Sequence, residues 1–302
     1  MVKFERLALV GLGLIGSSIA LGARKEGLVG EIIGTARTEQ TRSKALELGL
    51  VDRCVASAQD AVREADLVIL CVPVGAIGAV GAEIGPHLKP GCILSDVGSV
   101  KGSVIKDLAD HIPQGVHLVP GHPIAGTEDS GPESGFPELF HDRWQILTPP
   151  AGADPDAVRR MMEFWEKLGS DVAVMAADHH DQVLAITSHL PHLIAYTIVG
   201  TAVDLGDDIK AEVIQYSASG FRDFTRIAAS DPVMWRDVFL KNKTAVLDIL
   251  QRFTEDLTAL QRAIRRGEGE TLHQHFTDTR AIRRGVIDAG QEVPPVPPKA
   301  DD

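Results

Sequence analysis

The feature that most constrains this fold is a glycine pattern near the N-terminus, the GxGxxG sequence formed by Gly11, Leu12, Gly13, Leu14, Ile15 and Gly16. An apolar run over residues 6–10 leads directly into it, and a segment of helical character, residues 17–26, follows it. Between a strand and a helix, such glycines permit a tight turn, close approach of a pyrophosphate and close helix packing, in that order. The pattern predicts a dinucleotide site on a strand-turn-helix unit, with a plain glycine-rich turn as the alternative.

Short apolar runs alternate with helical patterns through the first half of the chain. The candidate strands cover residues 6–10, 31–36, 67–72, 93–97, 116–119, 145–147 and 171–175. Nearly continuous apolar strands separated by helices are typical of a parallel sheet that is covered on both faces. With right-handed crossovers, the pattern predicts an α/β fold with a doubly wound, mostly parallel Rossmann-type sheet, and a dinucleotide-binding domain over residues 1–177.

Beyond Asp178 the strand runs vanish and helical periodicity takes over. Helices are predicted over residues 181–203, 209–215, 232–265 and 271–289. This change indicates a second, all-helical domain over residues 178–290. The last segment, residues 291–302, contains the sequence PPVPP, and we expect it to be a disordered tail.

The charge of the chain restricts its partners. Its 302 residues include 30 Lys and Arg against 42 Asp and Glu, which gives a formal net charge of −12. A protein of this charge repels nucleic acid and anionic membranes unless it has a local basic patch, and the sequence shows no such patch. We therefore expect neither partner, and we expect individual cationic side chains to bind any anionic substrate.

Cysteine usage points to the compartment. Cys54, Cys71 and Cys92 form no CxxC pair and fit no zinc spacing, which predicts a reducing, cytoplasmic setting and no metal site. The uncharged run over residues 7–23 faintly resembles a signal peptide. Its three glycines favour the buried strand-turn-helix unit instead.

The end of the second candidate strand bears on the choice of cofactor. An Asp or Glu that binds the ribose 2′-hydroxyl of NAD is expected there, but Ala36 occupies that position. Arg37, beside Thr38, can face a 2′-phosphate, so the sequence predicts tolerance of NADP and leaves NAD open; an exposed loop arginine is the alternative. Val72 and Pro73, where the third strand ends, are further predicted cofactor contacts.

Two polar side chains follow candidate strands and are placed for chemistry. Ser99 comes after the strand over residues 93–97, where it can contact a nicotinamide or a substrate hydroxyl; a helix N-cap is the alternative. His122 lies between Gly121 and Pro123 at the end of another strand. Oxidising an alcohol requires a base for the hydroxyl proton, and neutral imidazole suits that task near pH 7. His122 is therefore the predicted base, with a structural loop histidine as the alternative.

The helical half holds two further clusters. His189 and His192 are three residues apart and share a predicted helix face, but no third ligand has a suitable spacing for zinc. Arg222 and Arg226 are four residues apart, and arginine binds carboxylates through a bidentate fork. The arginines predict a site for a substrate carboxylate; a surface helix with salt bridges is the alternative.

In chain order, five motifs resemble the prephenate/arogenate dehydrogenases of tyrosine biosynthesis. They read GLGLIGSS, DVGSVK, GHPIAGTEDSGPESGF, SHLPH and GFRDFTRIAASDPVMW, and together they extend over most of the chain. The HPxAGxExSG and TRIAxSDPxMW segments are the most specific, whereas the glycine loop alone is not. The resemblance implies a dinucleotide-binding domain and a helical domain that dimerises, with the active site in the cleft between them.

The resemblance also implies residue roles. His122 matches the catalytic histidine that draws on the C4 hydroxyl, and Ser99 matches a serine that hydrogen-bonds that hydroxyl and orients the histidine. Arg226 matches the arginine that binds a substrate carboxylate. His189 and His192 match histidines that line the substrate pocket.

The implied activity is oxidative decarboxylation of prephenate or arogenate by a homodimer, with hydride transfer to NAD or NADP. Arg222 sits where such proteins carry a basic residue at the cleft, and we expect no appended chorismate mutase or ACT domain. Another two-domain dehydrogenase or imine reductase, such as a 3-hydroxyacid dehydrogenase, is one alternative, and a nucleotide-sensing protein without turnover is another. Prephenate and arogenate differ in a side-chain keto or amino group, so one sequence does not decide between them.

Overall fold

Six parallel strands form the sheet that the apolar runs predict. The computed structural model describes residues 3–127, 129–203 and 218–288. The first strands are β1 (Phe4–Val10), β2 (Val29–Thr35), β3 (Arg53–Val55), β4 (Leu67–Leu70), β5 (Ile93–Asp96) and β6 (His117–Leu118). They pair in the order β3-β2-β1-β4-β5-β6, which is the order of a Rossmann fold and reverses between β1 and β4, where dinucleotides bind. The predicted fold class is confirmed.

Helices cover both faces of this sheet. They are α1 (Leu14–Lys25), α2 (Glu39–Glu47), α3 (Ala58–Val62), α4 (Ile77–Ile84) and α5 (Gly102–Ala109). Alternate residues of β1 enter separate apolar cores: Leu7 and Leu9 belong to one, and Ala8 and Val10 to the other. Because successive side chains of a strand point to opposite faces, the two cores show that the sheet is buried on both sides.

A second, three-stranded sheet follows. It contains β7 (Gly121–Pro123), β8 (Trp144–Leu147) and β9 (Asp171–Val174), and α6 (Pro155–Lys167) lies between β8 and β9 in the chain. β7 runs antiparallel to β8, and β9 runs parallel to it. The predicted strands over residues 145–147 and 171–175 therefore lie in this second sheet and not in the doubly wound one. Pro120 and Pro123 have no N–H to extend a ladder, so β6 ends early and β7 stays short.

The rest of the described chain is helical. Its elements are α7 (Ala177–Leu184), a π-helical turn (Ala185–His189), α8 (Leu190–Val203), α9 (Ser219–Thr225), α10 (Pro232–Lys241), α11 (Lys243–Arg266) and α12 (Gly269–Asp288). The predicted helix over residues 232–265 is interrupted at Asn242, whose side chain donates to the Asp181 carbonyl oxygen. The predicted helix over residues 209–215 and the predicted tail over residues 291–302 lie outside the described residues.

The chain forms two compact units, Met1–Leu247 and Asp248–Asp302. The first contains both sheets and every residue of the site described below. In the second, the described residues belong to α11 and α12 and expose several large apolar side chains, among them Leu257, Ile264, Phe276 and Ile282. The domain boundary at residues 177–178 stays a prediction.

One stretch, Ala177–Ala202, is long and apolar enough to cross a membrane, judged by length and composition alone. It includes His180 and Asp181, which are buried and hydrogen-bonded to each other. Asp181 also accepts backbone N–H groups from Lys101 and Gly102. The start of this stretch is therefore held within the folded protein by hydrogen bonds to ionisable side chains.

Candidate active site

The GxGxxG turn has the geometry that the sequence predicts. Gly11 has a φ of +107°, which favours glycine, and a Cβ there would lie 2.3 Å from the Cys71 carbonyl oxygen. A Cβ on Gly16 would lie 2.2 Å from the Gly11 carbonyl oxygen, so this glycine lets α1 pack against the turn. A Cβ on Gly13, in contrast, would meet no atom within 4 Å. The turn therefore leaves open space at the start of the helix.

This open space fits the pyrophosphate of a dinucleotide. Gly13 is the N-cap of α1, no side chain caps the helix, and its first turn contains no acidic residue. The N–H groups of that turn and the positive end of the helix dipole are therefore available to an anion. Leu12 and Leu14 are buried in the core, so the turn presents its backbone to a ligand. Val72 and Pro73 follow β4, directly across the switch point from β1.

The end of β2 leads into a loop that contains an arginine and no acidic residue. Arg37 and Thr38 are exposed, and the Thr38 hydroxyl caps α2 by accepting the N–H of Thr41. Arg42 reaches back from α2 and donates from Nη1 to the carbonyl oxygens of Ala36, at 2.7 Å, and Arg37, at 3.3 Å. The sequence analysis missed Arg42, because a position inside a helix gives no sign that its side chain returns to the preceding loop.

His122 begins a chain of three hydrogen-bonded side chains. Its Nδ1 lies 2.8 Å from Nε2 of His180, and Nδ1 of His180 lies 2.8 Å from Oδ1 of Asp181. β7 carries His122, and α7 carries the other two. All three are buried, with 8% of the surface of His122 exposed. The chain thus links the predicted base to a buried carboxylate.

The order of these hydrogen bonds fixes the tautomer of His122. Burial, followed by the charges of His180, Lys101 and His189, holds the pKa of His122 well below 6.5. Burial also lowers the pKa of His180, so both rings are neutral at pH 7. With Asp181 ionised, Nδ1–H of His180 donates to the carboxylate, and Nε2 of His180 accepts from Nδ1–H of His122. The lone pair of His122 then lies on Nε2, the nitrogen that can accept a proton from a ligand.

Asp181 also joins this chain to the loop that carries Ser99. Its carboxylate accepts the N–H of Lys101 at 2.8 Å and of Gly102 at 2.9 Å, at the start of α5. Burial alone would raise the pKa of Asp181, but the hydrogen bonds from His180 and these two N–H groups lower it. Asp181 therefore supplies the negative charge that the helix N-terminus favours. The alternative role of Ser99 as the N-cap of this helix is wrong, because α5 begins at Gly102.

His189 and His192 pack around Trp235. The rings of His192 and Trp235 stack with centroids 3.6 Å apart, and His189 meets the same indole edge-on at 6.1 Å. His189 is fully buried, and Asn242 donates to its Nδ1 at 3.1 Å. Burial lowers its pKa to about 4. Among residues 3–127, 129–203 and 218–288, no group of three or more His, Cys, Asp or Glu is placed to hold a metal ion.

Arg226 lies close enough to His192 for its positive charge to affect the pKa of that ring. Burial is the larger cause of the lowered pKa of His192, and the charge of Arg226 adds to it. The Tyr196 hydroxyl on α8 donates to the Ser230 carbonyl oxygen at 2.8 Å, which holds the turn after Arg226 against the helix that carries His192. Arg222, in contrast, is 72% exposed and forms a loose ion pair with Asp223 at 3.6 Å. The structure thus places Arg226, but not Arg222, beside the histidines.

Sequence reasoning missed the residues that support His122. His180 and Asp181 stand in an ordinary helical run, AADHHDQV, where five consecutive polar residues indicate a solvated segment. The available signal was an adjacent His-Asp pair ahead of an apolar helix, and that pattern is common. The contacts of Lys101 with Asp96 and Gly121 were missed too, because the pattern of a loop before a helix does not show which way its lysine side chain turns.

Comparison with known proteins identifies the family. The nucleotide-binding domain of prephenate dehydrogenase matches residues 19–174, and the dimerization domain of prephenate dehydrogenase matches residues 176–278. The chain belongs to the prephenate dehydrogenase family. It is similar to the cyclohexadienyl dehydrogenase of Zymomonas mobilis, with 44% identity over 283 residues, which cover 94% of this chain and 96% of that protein.

Solved structures agree with this membership. Prephenate dehydrogenase from Aquifex aeolicus, in complex with hydroxyphenyl propionate and NAD+, superposes with a TM-score of 0.88 at 33% identity, covering 94% of this chain and 99% of that one. Synechocystis arogenate dehydrogenase superposes with a TM-score of 0.79 at 30% identity, covering 93% and 99%. This prephenate dehydrogenase family member is an NAD(P)-dependent oxidoreductase, and the alternative of a 3-hydroxyacid dehydrogenase or imine reductase is not supported.

Proposed function

We propose that this protein oxidises a cyclohexadienyl acid, prephenate or arogenate or both, and releases CO₂ and an aromatic product, 4-hydroxyphenylpyruvate or tyrosine. The observation that carries the proposal is the hydrogen-bonded chain from His122 through His180 to Asp181, in a protein that also has the dinucleotide turn of this family's fold. When bound, NAD+ or NADP+ accepts the hydride from C4 of the substrate. The protein supplies positioning, charge complementarity and a proton acceptor.

His122 acts as the base in this proposal. Its Nε2 takes the proton of the C4 hydroxyl while the hydride leaves the same carbon, and the ring carboxylate then departs as CO₂. The electron pair of the broken C–C bond makes the ring aromatic, so the reaction is effectively irreversible. Asp181, through His180, stabilises the imidazolium that forms at His122, as a buried carboxylate does in other histidine-based sites. Ser99 hydrogen-bonds the same hydroxyl.

Arg226 binds a substrate carboxylate, and His192 lines the same pocket with its Nε2. Nδ1–H of His192 donates to the Ser188 carbonyl oxygen at 2.8 Å, which leaves the other nitrogen as an acceptor. His189 has no exposed surface, so we assign it a supporting role beneath the pocket rather than direct contact. Arg222 adds positive charge at the entrance. These assignments place one strong cation where an anionic substrate needs it.

We propose that the cofactor site accepts NADP+ as well as NAD+. The backbone of residues 11–16 and the strand end at Val72 and Pro73 hold the pyrophosphate and nicotinamide parts, and the β2–α2 loop faces the adenosine end. Arg37 and Thr38 can bind a 2′-phosphate there, and Arg42 stiffens the loop through its carbonyl contacts. Replacing Arg37 with Ala should weaken binding of 2′,5′-ADP about tenfold, and binding of 5′-ADP hardly at all, in calorimetric titrations. Equal losses for both ligands would overturn the assignment.

We propose that the protein is a cytoplasmic homodimer. The match to a dimerization domain supports the dimer, as do the exposed apolar side chains of α11 and α12. Cys54, Cys71 and Cys92 are all free thiols, as expected in a reducing compartment. Light scattering coupled to size-exclusion chromatography should give twice the mass of the chain, and cell fractionation should recover the protein with soluble enzymes.

The substrate assignment is tested by comparing kcat/KM for prephenate and arogenate, each with NAD+ and NADP+, from absorbance at 340 nm. We expect turnover with at least one of the two acids and release of one CO₂ per hydride transferred. A panel of 3-hydroxyacids serves as the control. Turnover of that panel alone, or cofactor binding without any hydride transfer, would overturn the proposal.

A further inference from the structure

A buried ion pair lies next to His122 and has no part in the chemistry described above. The side chains of Asp96, at the end of β5, and Lys101, just before α5, are both fully buried. Lys101 Nζ donates to Asp96 Oδ2 and, at 2.7 Å, to the carbonyl oxygen of Gly121. The N–H of Gly121 in turn donates to Asp96 Oδ1 at 3.3 Å. The pair therefore holds both backbone polar groups of the residue that precedes His122.

This contact joins the two sheets of the protein. β5 belongs to the six-stranded sheet, and β7, which begins at Gly121, belongs to the three-stranded one. The junction is tight, because a Cβ on Gly121 would lie 2.4 Å from Gln145 Nε2 and 3.3 Å from the Asp96 carbonyl oxygen. The position of β7 relative to β5 is thus fixed at the residue that precedes His122.

Lys101 also contacts the far end of the histidine chain. Its backbone N–H donates to Asp181 Oδ1, the same oxygen that accepts from His180. The side chain of Lys101 therefore fixes the strand of His122, and its backbone N–H fixes the carboxylate that orients His180. A buried ion pair contributes little net stability compared with apolar residues of similar size, so stability alone does not account for this arrangement.

We propose that the Asp96–Lys101 pair is a positioning element for the base, which sets the place of His122 through Gly121 and provides a fixed positive charge beside its ring. This inference rests on the proposed role of His122. The charged and titratable groups that face His122 are His180 from α7, His189 from the π-helical turn and Lys101 from the loop before α5. Asp96 and Asp181 face Lys101 in turn. The charge of Lys101 disfavours the imidazolium, so His122 stays neutral in the resting enzyme and its Nε2 lone pair stays available down to lower pH.

The test replaces the pair by neutral side chains of similar size, Asp96→Asn with Lys101→Met. Changing both partners avoids a buried, unpaired charge, which would itself destabilise the fold. A control pair exists at the opposite end of β5, where the partly exposed Lys89 and Asp66 form an ion pair at 2.7 Å, just before β5 and β4. The control variant is Asp66→Asn with Lys89→Met.

We expect kcat of the Asp96/Lys101 variant to fall about 10- to 100-fold, because a displacement of the base by about 1 Å has effects of that order. Binding of NAD+, followed by fluorescence titration, should change less than about twofold, because the glycine turn lies outside the changed contacts. The acidic limb of the pH profile of kcat/KM should move to higher pH, because the positive charge near His122 has been removed. The Asp66/Lys89 variant should keep the wild-type kcat and acidic limb. A kcat and an acidic limb equal to those of the control variant would overturn the proposal.

Two measurements keep the test decisive. If this double variant does not fold, Asp96→Asn with Lys101→Gln keeps a donor for the Gly121 carbonyl oxygen and removes both charges. The acidic limb of its pH profile of kcat/KM should still move to higher pH, and an unchanged limb would overturn the proposal. Nitrogen-15 NMR of His122 reports the pKa of its ring without any turnover. If the wild-type protein oxidises no cyclohexadienyl acid, the proposed function fails, while this pKa still decides whether the pair acts on His122.

Discussion

The carboxylate of Asp181 is connected to the imidazole of His122 through a single intervening ring, that of His180. The connection fixes which nitrogen of His122 carries the proton and supplies a negative charge that stabilises the protonated ring. The same carboxylate holds the start of α5 and so the loop of Ser99. Asp181 therefore positions both the proposed base and the loop of the proposed hydroxyl-binding serine.

Replacing His180 with Gln should lower kcat about 10- to 100-fold, because His122 loses its partner and the link to Asp181, as for supporting residues at other sites. The adjacent His179 is exposed and provides a matched control. His179→Gln should leave kcat and KM unchanged. Steady-state kinetics of the two variants at pH 7.5 (about one unit above the ordinary histidine pKa) make the comparison. Equal activities would show that the chain has no role in turnover.

Replacing Asp181 with Asn should destabilise the protein at neutral pH by about 1–3 kcal/mol, because a charged acceptor of three hydrogen bonds is lost. The hydrogen bonds keep the pKa of Asp181 below its ordinary value of 3.8. A lowered pKa in the folded state contributes stability that is present above the unfolded pKa and is lost as the pH falls through the folded pKa. In urea unfolding, the difference in the free energy of unfolding between wild type and variant should therefore be present at pH 7 and should narrow below pH 3.8. A difference in the free energy of unfolding that does not depend on pH would contradict the claim that the ionised carboxylate of Asp181 provides this stability.

The pH dependence of kcat/KM follows from the environment of His122. Burial, then His180, Lys101 and His189, hold its pKa well below 6.5, and the base works only when neutral. Activity should fall as the pH drops through that lowered pKa, so the midpoint of the acidic limb should lie below 6.5. Circular dichroism over the same range establishes that the protein stays folded. A midpoint at or above 6.5 would mean that another group controls the limb.

Arg226 and Arg222 should respond differently to substitution. Arg226→Gln should raise KM for the cyclohexadienyl acid about 10- to 100-fold, which corresponds to the loss of a charged hydrogen bond. Arg222→Gln should raise KM less than about threefold, because an exposed charge at the entrance contributes little. NAD+ affinity should stay the same in both variants. An equal rise in KM for both arginines would place the carboxylate between them instead.

The fold could be predicted well from the sequence, for physical reasons. A buried parallel strand is mostly apolar, so β1, β4 and β5 stand out, and only glycine fits at positions 11 and 16. β3 and β7 have three residues each, too few for a pattern, and were missed. The separate second sheet depends on where β7 pairs, which its own residues do not indicate.

The sequence marks candidate site residues only where one residue would carry the proposed chemistry by itself. His122, Ser99 and Arg226 stand in motifs that mark them. His180, Asp181, Lys101 and Asn242 act through contacts between elements that are distant in the chain, and their local sequence is that of ordinary helices and loops. The break at Asn242 shows the same limit, because the helical periodicity continues through it.

The most direct test of the central claim is His122→Asn, with kcat measured in steady state and NAD+ affinity measured by fluorescence titration. If His122 is the base, kcat should fall about 10²- to 10⁴-fold while the dissociation constant of NAD+ stays within about twofold of wild type. Turnover at the wild-type rate in this variant would contradict the account.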